Sequence, residues 1–398
     1  MRAATLPAME KLDFDVVIVG GGLVGSALAL ALRDTSLNIA VLEGMPPPDV
    51  LPPGWDARVY AISRASERLL RRIGAWQRLD GVRVAPVSAM EIHGDRPGHM
   101  LRFDALEAGS ETLTHILENR HLQLALWQGL QEAPNVTVFS PARPAALRVD
   151  PQSAQLTLDD GRVLSSRLLV GADGANSWVR QQMDIVPAVT PYEQFGVVAN
   201  FATTKSHHGI ARQWFMADGI LAWLPLPDQR MSMVWSCYGD RRDALLAMAP
   251  DELAACVSAA GARELGELAL ITPAQAFPLR LNHVPEIVRP RVALVGDAAH
   301  TVHPLAGQGV NLGFGDVEAL AGILTVELSA RVGDYLVLRR YERSRREAVY
   351  LMQGVCHGLQ KLFNNEHPVL GGLRNWGLDL TNRLPWIKRQ LIRHAMDA

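Results

Sequence analysis

The chain has 398 residues, of which 48% are hydrophobic and 20% are charged, the proportions of an ordinary soluble globular protein. Its length predicts two domains rather than one small core. The formal net charge of −2 excludes any global electrostatic reason to expect nucleic acid as a partner.

The first apolar stretch, residues 16–32, has the hydropathy of a signal peptide or a membrane span. Three consecutive glycines, residues 20–22, interrupt it and would weaken any continuous helix. We therefore predict a short buried strand over Val16–Val19, a glycine turn and an apolar helix over Ser26–Arg33.

The glycine turn fits the GxGxxG pattern of nucleotide-binding units. In this pattern Gly20 permits a tight turn, Gly22 lets a pyrophosphate approach the backbone, and Gly25 lets the helix pack close to the strand. Leu23 and Val24 complete the turn, and the amides at the start of the helix would face the phosphates. The same pattern also occurs as a plain glycine-rich turn in other α/β proteins.

An acidic residue follows the next predicted strand. The strand Asn38–Leu42 ends at Glu43, 23 residues after Gly20. A carboxylate at this distance accepts hydrogen bonds from an adenosine ribose, and it selects a ribose without a phosphate.

Two further motifs follow apolar strands later in the chain. Asp173 and Gly174 come after the strand Leu168–Val170, and Gly296 and Asp297 come after Val292–Val295. A nicotinamide dehydrogenase would need only one such motif. FAD is a long molecule whose two ends must be held by segments distant in sequence, so three motifs predict FAD.

These residues resemble those of the flavoprotein aromatic hydroxylases of the para-hydroxybenzoate hydroxylase type, and more closely those of the branch that hydroxylates ubiquinone precursors. The resemblance covers essentially the whole chain. It implies that the Gly20 loop holds the ADP half of FAD and that Asp297 bonds the ribityl chain. It also implies that Asp173 and Gly174 lie near the pyrophosphate and serve nicotinamide nucleotide use.

The same resemblance implies that a glycine-punctuated loop passes along the isoalloxazine. The predicted residues are His303, Pro304, Gly307, Gln308 and Gly309, followed by Val310 and Asn311 at the start of a long helix. Amides at the N-terminus of this helix, Gly309–Leu324, stabilise negative charge on a reduced flavin.

Two arginines match the family by position. Arg58, in Asp56-Ala57-Arg58, corresponds to an arginine that approaches the cofactor, and Arg120 lies in a segment that meets the pyrophosphate side. An ordinary surface or helix-capping arginine is the alternative for each.

Between Tyr192 and Tyr238 the composition shifts to alternating, aromatic strands, which predicts an antiparallel sheet inserted in the α/β domain. A sheet over a flavin forms an apolar pocket, for which Trp214, Trp223, Met233 and Trp235 are candidate walls. Plain core packing is the alternative for each of them.

The predicted fold class is α/β: a Rossmann-like FAD-binding domain, an inserted antiparallel-sheet substrate domain and a C-terminal helical segment. The predicted FAD-binding domain comprises residues 1–83, 111–190 and 276–330. Residues 84–110 and 191–275 form the substrate domain, and residues 331–398 form the C-terminal helices. The spacing of Asp297, His300 and His303 suggests a metal, but Asp297 already has a role toward the flavin, so we predict no metal site.

The predicted function is that of an FAD-dependent monooxygenase that hydroxylates the ring of a polyprenylphenol, with O2 as co-substrate and NAD(P)H as reductant. A flavin-dependent prenyl-lipid reductase or epoxidase is one alternative. A flavin-bearing accessory subunit of a quinone-biosynthesis complex, and hence a biosynthetic partner, is another. The sequence names no obligatory protein base, and no residue is assigned a catalytic proton transfer.

The C-terminal segment carries most of the positive charge imbalance, with 12 Lys/Arg against 6 Asp/Glu from Arg331 onward. Apolar residues recur at helical spacing over residues 380–391 with cations between them, which suggests contact with an anionic membrane surface. A helix packed on the protein's own core is the alternative. Three cysteines without a CxxC pair indicate a reducing compartment, so we predict a cytoplasmic protein, peripheral on the inner face of the membrane.

Overall fold

The computed structural model describes residues 12–94, 100–216, 219–301 and 309–363, and its elements confirm the predicted α/β fold class. The strands are β1 (Phe14–Val19), β2 (Ile39–Leu42), β3 (Val59–Ser63), β4 (Ala85–Val87), β5 (Ala89–His93), β6 (Met100–Asp104), β7 (Thr114–Glu118), β8 (Val136–Phe139), β9 (Pro144–Val149), β10 (Ala154–Leu158), β11 (Val163–Gly171), β12 (Ala188–Thr203), β13 (Ile210–Met216), β14 (Gly219–Leu226), β15 (Arg230–Tyr238), β16 (Leu268–Leu270), β17 (Gln275–His283), β18 (Val288–Arg289), β19 (Val292–Leu294) and β20 (His300–Thr301). The helices are α1 (Leu23–Ala31), α2 (Arg64–Arg72), α3 (Asn119–Glu132), α4 (Trp178–Gln182), α5 (Gly239–Ala247), α6 (Pro250–Ala260), α7 (Gly309–Val326) and α8 (Tyr335–Phe363).

The first sheet is the nucleotide-binding layer. Its parallel strands run in the order β19-β11-β1-β2-β8, and β18 continues this order antiparallel to β19. The antiparallel strands β9 and β10 extend it from β11. Strands β1 and β2 are apolar along almost their whole length because helices cover both faces of a parallel sheet. The main core forms between this sheet and α1, α3, α7 and α8.

The second sheet is almost entirely antiparallel. Its strands run in the order β20-β17-β12-β15-β14-β13-β5-β6, with β16 also paired to β12 and one parallel pair between β13 and β5. It contains the antiparallel strands predicted between Tyr192 and Tyr238, which are β12, β13, β14 and β15. Side chains alternate between the two faces of a sheet, so each strand serves two environments. One face packs against α5 and α6 and forms the second core of the molecule.

A small third sheet, β3-β7-β4, lies between the two larger ones. Its strand β3 shows this directly, because Val59 and Ala61 pack with the second sheet whereas Tyr60 and Ile62 pack with the main core. The domain boundaries stay a prediction. Strands β5, β6 and β13–β16 come from the two segments predicted to build the substrate domain, whereas β20 and nearly all of β17 come from a segment predicted for the FAD-binding domain.

The predicted helices are present with shifted ends. Helix α1 begins at Leu23, three residues before the predicted start, because Gly22 already acts as its N-cap. Helix α7 begins at Gly309 as predicted and ends at Val326. In the part of the chain that the structure describes, α7 is the one helix long and apolar enough to cross a membrane, and 56% of it is buried inside the protein. Burial of this kind is typical of a core helix.

The C-terminal helical segment begins with α8, which packs on α7 and on β18. The basic amphipathic stretch predicted over residues 380–393 lies outside the described residues.

Candidate functional site

The three glycine motifs meet at one edge of the nucleotide-binding sheet. Gly20 follows β1, Asp173 follows β11 after one residue, and Gly296 follows β19 after one residue. These strands are neighbours and parallel, so their carboxyl ends lie side by side, where open α/β sheets bind ligands. The structure therefore brings together three segments, the first and last of which are 276 residues apart in sequence.

The first turn is shaped by close backbone contacts. Gly20 has a φ of +108°, and a Cβ there would lie 2.4 Å from the carbonyl oxygen of Ala172 in the second motif. A Cβ on Gly25 would lie 1.9 Å from the carbonyl oxygen of Gly20. The lack of a side chain at these two positions lets the turn pack closely against the neighbouring backbone, as the sequence predicted.

Gly22 has the opposite environment. Among the described residues, no atom outside its chain neighbours lies within 4 Å of the position of a Cβ, and no side chain caps the helix that begins after it. The first amides of α1 therefore face open space at the positive end of the helix. This space fits an anionic group such as a pyrophosphate.

Glu43 lies at the end of β2, beside the first turn. One carboxylate oxygen, Oε2, accepts a hydrogen bond from the Gly21 amide at 2.8 Å, and Oε1 accepts one from the Met45 amide at 2.8 Å. The side chain is half-buried. Its predicted contact with a ribose stays a prediction, and the structure adds that Glu43 also fixes the glycine turn.

The second motif is tied to the third by an arginine. Asp173 accepts a hydrogen bond from the Val179 amide at 3.0 Å through Oδ2, while its buried Oδ1 has no hydrogen-bond partner among the described residues. Arg180 is buried and donates to the carbonyl oxygens of Ala298, at 2.9 Å, and of Ala175, at 2.7 Å. The guanidinium thus joins the turn after β11 to the turn after β19. Gly174 has a φ of +82°, and a Cβ on it would have no described atom outside its chain neighbours within 4 Å.

The third motif is a turn in a left-handed conformation that a buried carboxylate stabilises. Gly296 has a φ of +60°, a conformation that favours glycine, and its amide donates to Oδ2 of Asp316 at 2.8 Å. Val24 of α1 packs against Gly296, so the first and third motifs touch directly.

Asp297 is reachable by water, although protein surrounds it on most sides. This burial raises the pKa of its carboxyl, and the charges of His300 and Arg58 act in the opposite direction. A carboxyl group in this position suits the hydroxyl donors of a sugar chain.

The Asp56–Arg58 segment enters the same region. Asp56 accepts hydrogen bonds from the amides of Arg58, at 3.0 Å, and Arg120, at 3.1 Å. The guanidinium of Arg58 is exposed and lies 5.4 Å from the ring centroid of Tyr60. Burial raises the pKa of Tyr60 to about 12, with Arg58 lowering it and Asp297 raising it, so the phenol stays protonated at neutral pH.

The start of α7 is bound to β3. Both polar atoms of the buried Asn311 side chain are occupied, since Oδ1 accepts from the Ser63 amide at 3.0 Å and Nδ2 donates to the Ala61 carbonyl at 2.8 Å. Gly309 and Val310 form the first turn of this helix. The predicted isoalloxazine residues His303, Pro304, Gly307 and Gln308 lie outside the described residues.

The four predicted pocket walls all lie on the helix-covered face of the second sheet. Trp214, Trp223, Met233 and Trp235 are buried in the core with α5 and α6. The opposite face turns toward the nucleotide-binding layer, because Asn200 on that face donates to the Asp56 carbonyl at 2.8 Å. Their role as pocket walls stays a prediction, and the structure favours the core-packing alternative, since the helix-covered face holds all four.

Sequence reasoning also missed several residues that build the site. Arg345 and Asn200 belong to no nucleotide signature, so no local pattern marks them. Asp316 offered a weak signal, because it and Glu318 are the two carboxylates in the largely apolar sequence of α7. Tyr60 lies in β3, two residues after Arg58, and offered no signal of its own.

The fold and the site define a class of protein. The open space at Gly22, the uncapped amides of α1 and the accessible carboxyl of Asp297 fit the pyrophosphate and sugar chain of FAD. Two parts of one long dinucleotide can be held at once, because their motifs meet at a single sheet edge. The chain has the architecture of a Rossmann-like flavoprotein.

Comparison with known proteins gives the family. The model described as FAD binding domain matches residues 13–353, and the chain belongs to this family. It is 38% identical over 393 residues to 3-demethoxyubiquinol 3-hydroxylase of Escherichia coli (strain K12), an alignment that covers 98% of this chain and 100% of that protein. It is 36% identical over 398 residues to ubiquinone hydroxylase UbiL of Rhodospirillum rubrum, covering 99% and 92%.

A solved structure has the same fold. The crystal structure of p-nitrophenol 4-monooxygenase PnpA from Pseudomonas putida DLL-E4 matches with a TM-score of 0.80 and 19% identity, covering 98% of this chain and 99% of that one. The resemblance to the flavoprotein aromatic hydroxylases is confirmed, and the chain is an FAD-dependent monooxygenase.

Proposed function

We propose that this monooxygenase hydroxylates the aromatic ring of a polyprenylphenol-type ubiquinone precursor. The main support for this proposal is that the chain aligns along nearly its whole length with two proteins named as hydroxylases of ubiquinone or demethoxyubiquinol. The convergence of three motifs at one sheet edge supports the FAD requirement. NAD(P)H as reductant and O2 as co-substrate belong to the proposal.

Bound FAD supplies the redox chemistry, which the chain's own side chains cannot provide. The overall reaction balances as one phenol ring, O2, NAD(P)H and a proton giving the hydroxylated ring, water and NAD(P)+. The chain would bind the cofactor through the amides of α1, through Asp297 and through the first turn of α7. The predicted cofactor-binding roles of Glu43, Arg58, Arg120 and Asp173, and of the predicted loop residues His303, Pro304, Gly307, Gln308 and Gly309, belong to this proposal.

The substrate would lie beneath the face of the second sheet that turns toward β3. This face is mainly apolar over the strands farthest from β17, although the buried Gln213 also lies on it, paired with Ala222 and Ile92. Its apolar residues there include Met90, Ile92, Phe103, Phe215, Ile220, Ala222, Leu224 and Val234. An apolar cover of this kind suits a prenylated ring and keeps water from the reacting groups. Asn200 and Ser232, paired across β12 and β15 on the same face, each have a buried oxygen without a hydrogen-bond partner among the described residues.

The test uses the purified full-length chain with FAD, NAD(P)H, O2 and a prenylphenol. Substrate-stimulated oxygen uptake with a product heavier by one oxygen atom is the expected result. Reduction of a double bond, or an epoxide in the prenyl tail, would instead favour the reductase or epoxidase alternative. A bound flavin that NAD(P)H never reduces would favour an accessory subunit.

Membrane contact through the C-terminal segment is a separate part of the proposal. A prenylated substrate resides in the bilayer, and a basic amphipathic helix binds anionic lipid surfaces. Deletion of residues 385–398 should reduce co-sedimentation with anionic liposomes. Unchanged binding would show that this segment is not the anchor.

A further inference from the structure

Helix α8 contacts the third motif although it contains none of the nucleotide signatures. The buried hydroxyl of Tyr341 donates to the carbonyl oxygen of Leu294, the last residue of β19, at 2.8 Å. One turn further along, Nε of Arg345 donates to Oδ1 of Asp316 at 2.7 Å. The same helix therefore holds both the strand that leads into the Gly296 turn and the carboxylate behind that turn.

Asp316 is the centre of this arrangement. Its side chain is fully buried, and its Oδ2 accepts from the Gly296 amide at 2.8 Å and pairs with Nε2 of His300 at 2.6 Å. Burial acts to raise the pKa of Asp316, but His300 and Arg345 outweigh it and hold the pKa below its ordinary value. The carboxylate therefore stays ionised, and an ionised carboxylate is the stronger acceptor for the Gly296 amide.

Arg345 is itself held in one position. Its Nη2 donates to the carbonyl oxygen of Leu312 at 3.0 Å, so the guanidinium bonds to two points on α7. It passes directly over Gly315, where a Cβ would lie 2.6 Å from Nη2 and 2.9 Å from Cζ. A residue larger than glycine at position 315 would displace the guanidinium.

We propose that Arg345 is a positioning residue for the flavin site, acting through Asp316 on the Gly296–Asp297 turn. The inference rests on the proposed role of that turn in binding FAD. Arg345 fixes the Asp316 carboxylate from one side, and the carboxylate fixes the Gly296 amide from the other. The backbone that presents Asp297 to the cofactor is thereby held in its left-handed conformation.

This arrangement makes the docking of α8 and the binding of FAD mutually dependent. A cofactor that requires the fixed turn binds better when α8 is docked, and by linkage the bound cofactor stabilises the docked helix to the same extent.

The test compares three variants of the full-length chain. Arg345→Met removes the guanidinium, and Gly315→Ala leaves it present but pushes it from Asp316. Arg343→Met is the matched control, because it removes one exposed arginine from the same helix. FAD affinity is measured by flavin fluorescence during titration of the apoprotein, and the melting temperature is measured with and without FAD.

We expect FAD to bind about tenfold to a hundredfold more weakly to Arg345→Met and Gly315→Ala, the usual effect of losing a charged hydrogen bond behind a ligand-binding group. The apoprotein of Gly315→Ala should stay folded, because the higher helix propensity of alanine offsets part of the stability lost with the Arg345–Asp316 pair. A purely structural role for Arg345 predicts a lower apoprotein melting temperature with unchanged FAD affinity. If Arg345→Met does not fold, Gly315→Ala decides alone.

Wild-type affinity in Gly315→Ala together with wild-type affinity in any folded Arg345→Met would overturn the inference. Affinity is measured without turnover, so this outcome is distinguishable from failure of the proposed function. A wild-type chain that binds FAD but hydroxylates no prenylphenol would refute the function and leave the role of Arg345 standing.

Discussion

Two glycines of the first motif should respond in opposite ways to the same substitution. Gly22 has a φ of −70° and a ψ of −169°, which any residue adopts, and open space lies where its Cβ would be. Gly25 has the carbonyl oxygen of Gly20 at 1.9 Å from the same position. We therefore predict that Gly22→Ala spares the apoprotein and impairs FAD binding, whereas Gly25→Ala unsettles the fold itself.

The magnitudes follow from these environments. At Gly22, alanine gains about 0.4–1 kcal/mol from the less flexible unfolded chain. It loses a similar amount as a poorer N-cap, so the free energy of unfolding should change by less than about 1 kcal/mol. At Gly25, an overlap of more than an ångström forces backbone movement, which costs about 1–3 kcal/mol or more.

At Gly22, the substitution should affect FAD affinity much more than it affects the stability of the apoprotein. A methyl group on Gly22 enters the space where the pyrophosphate approaches the α1 amides. Loss of one or two hydrogen bonds to a charged group, at about 1.5–3 kcal/mol each, weakens FAD binding by about tenfold to more than ten-thousandfold. Urea unfolding of the apoprotein and fluorescence titration with FAD measure the two quantities separately. Equal destabilisation by both substitutions, or wild-type FAD affinity in Gly22→Ala, would refute the assignment of this space to the pyrophosphate.

Three further predictions concern other parts of the site. Asn311→Ala leaves the Ser63 amide and the Ala61 carbonyl without their partners, and urea unfolding should show a loss of about 2–4 kcal/mol; a loss below 1 kcal/mol would contradict the two bonds. Met233→Ala, in the helix-covered core, should cost about 2–5 kcal/mol of stability and leave the KM for a prenylphenol unchanged. Val234→Ala, on the opposite face, should raise that KM. A raised KM in Met233→Ala with an unchanged KM in Val234→Ala would instead support Met233 as a pocket wall. Tyr60 has a pKa raised to about 12, so its contribution to stability is complete below pH 10 and is lost as the pH rises through about 12. Ultraviolet titration should therefore lose one late-ionising phenol in Tyr60→Phe, and loss of a phenol that ionises near pH 10 would contradict the raised pKa.

Amino-acid order alone determined the parts of this protein that are local. The buried strand before Gly20, the acidic residue after the next strand and the apolar strands before Asp173 and Gly296 each combine a periodic pattern with a turn residue. Such patterns depend on backbone conformation within a few residues, so they predict an element and its ligand chemistry without knowledge of the rest of the chain. The step to a ring hydroxylase came from the resemblance of these motifs to a family.

Tertiary structure decided the questions for which a local sequence pattern is compatible with more than one arrangement. Period-two alternation gives two apolar faces in the second sheet, and it cannot tell which face α5 and α6 cover. Trp223 and Met233, predicted as candidate pocket walls, lie on the covered face. Arg345 reaches Asp316, which accepts from the Gly296 amide, because α8 packs on α7; the two residues are 29 positions apart, and no local signal encodes their contact. A sequence specifies which side chains are available near each turn, and only packing between distant elements decides which of them hold it in place.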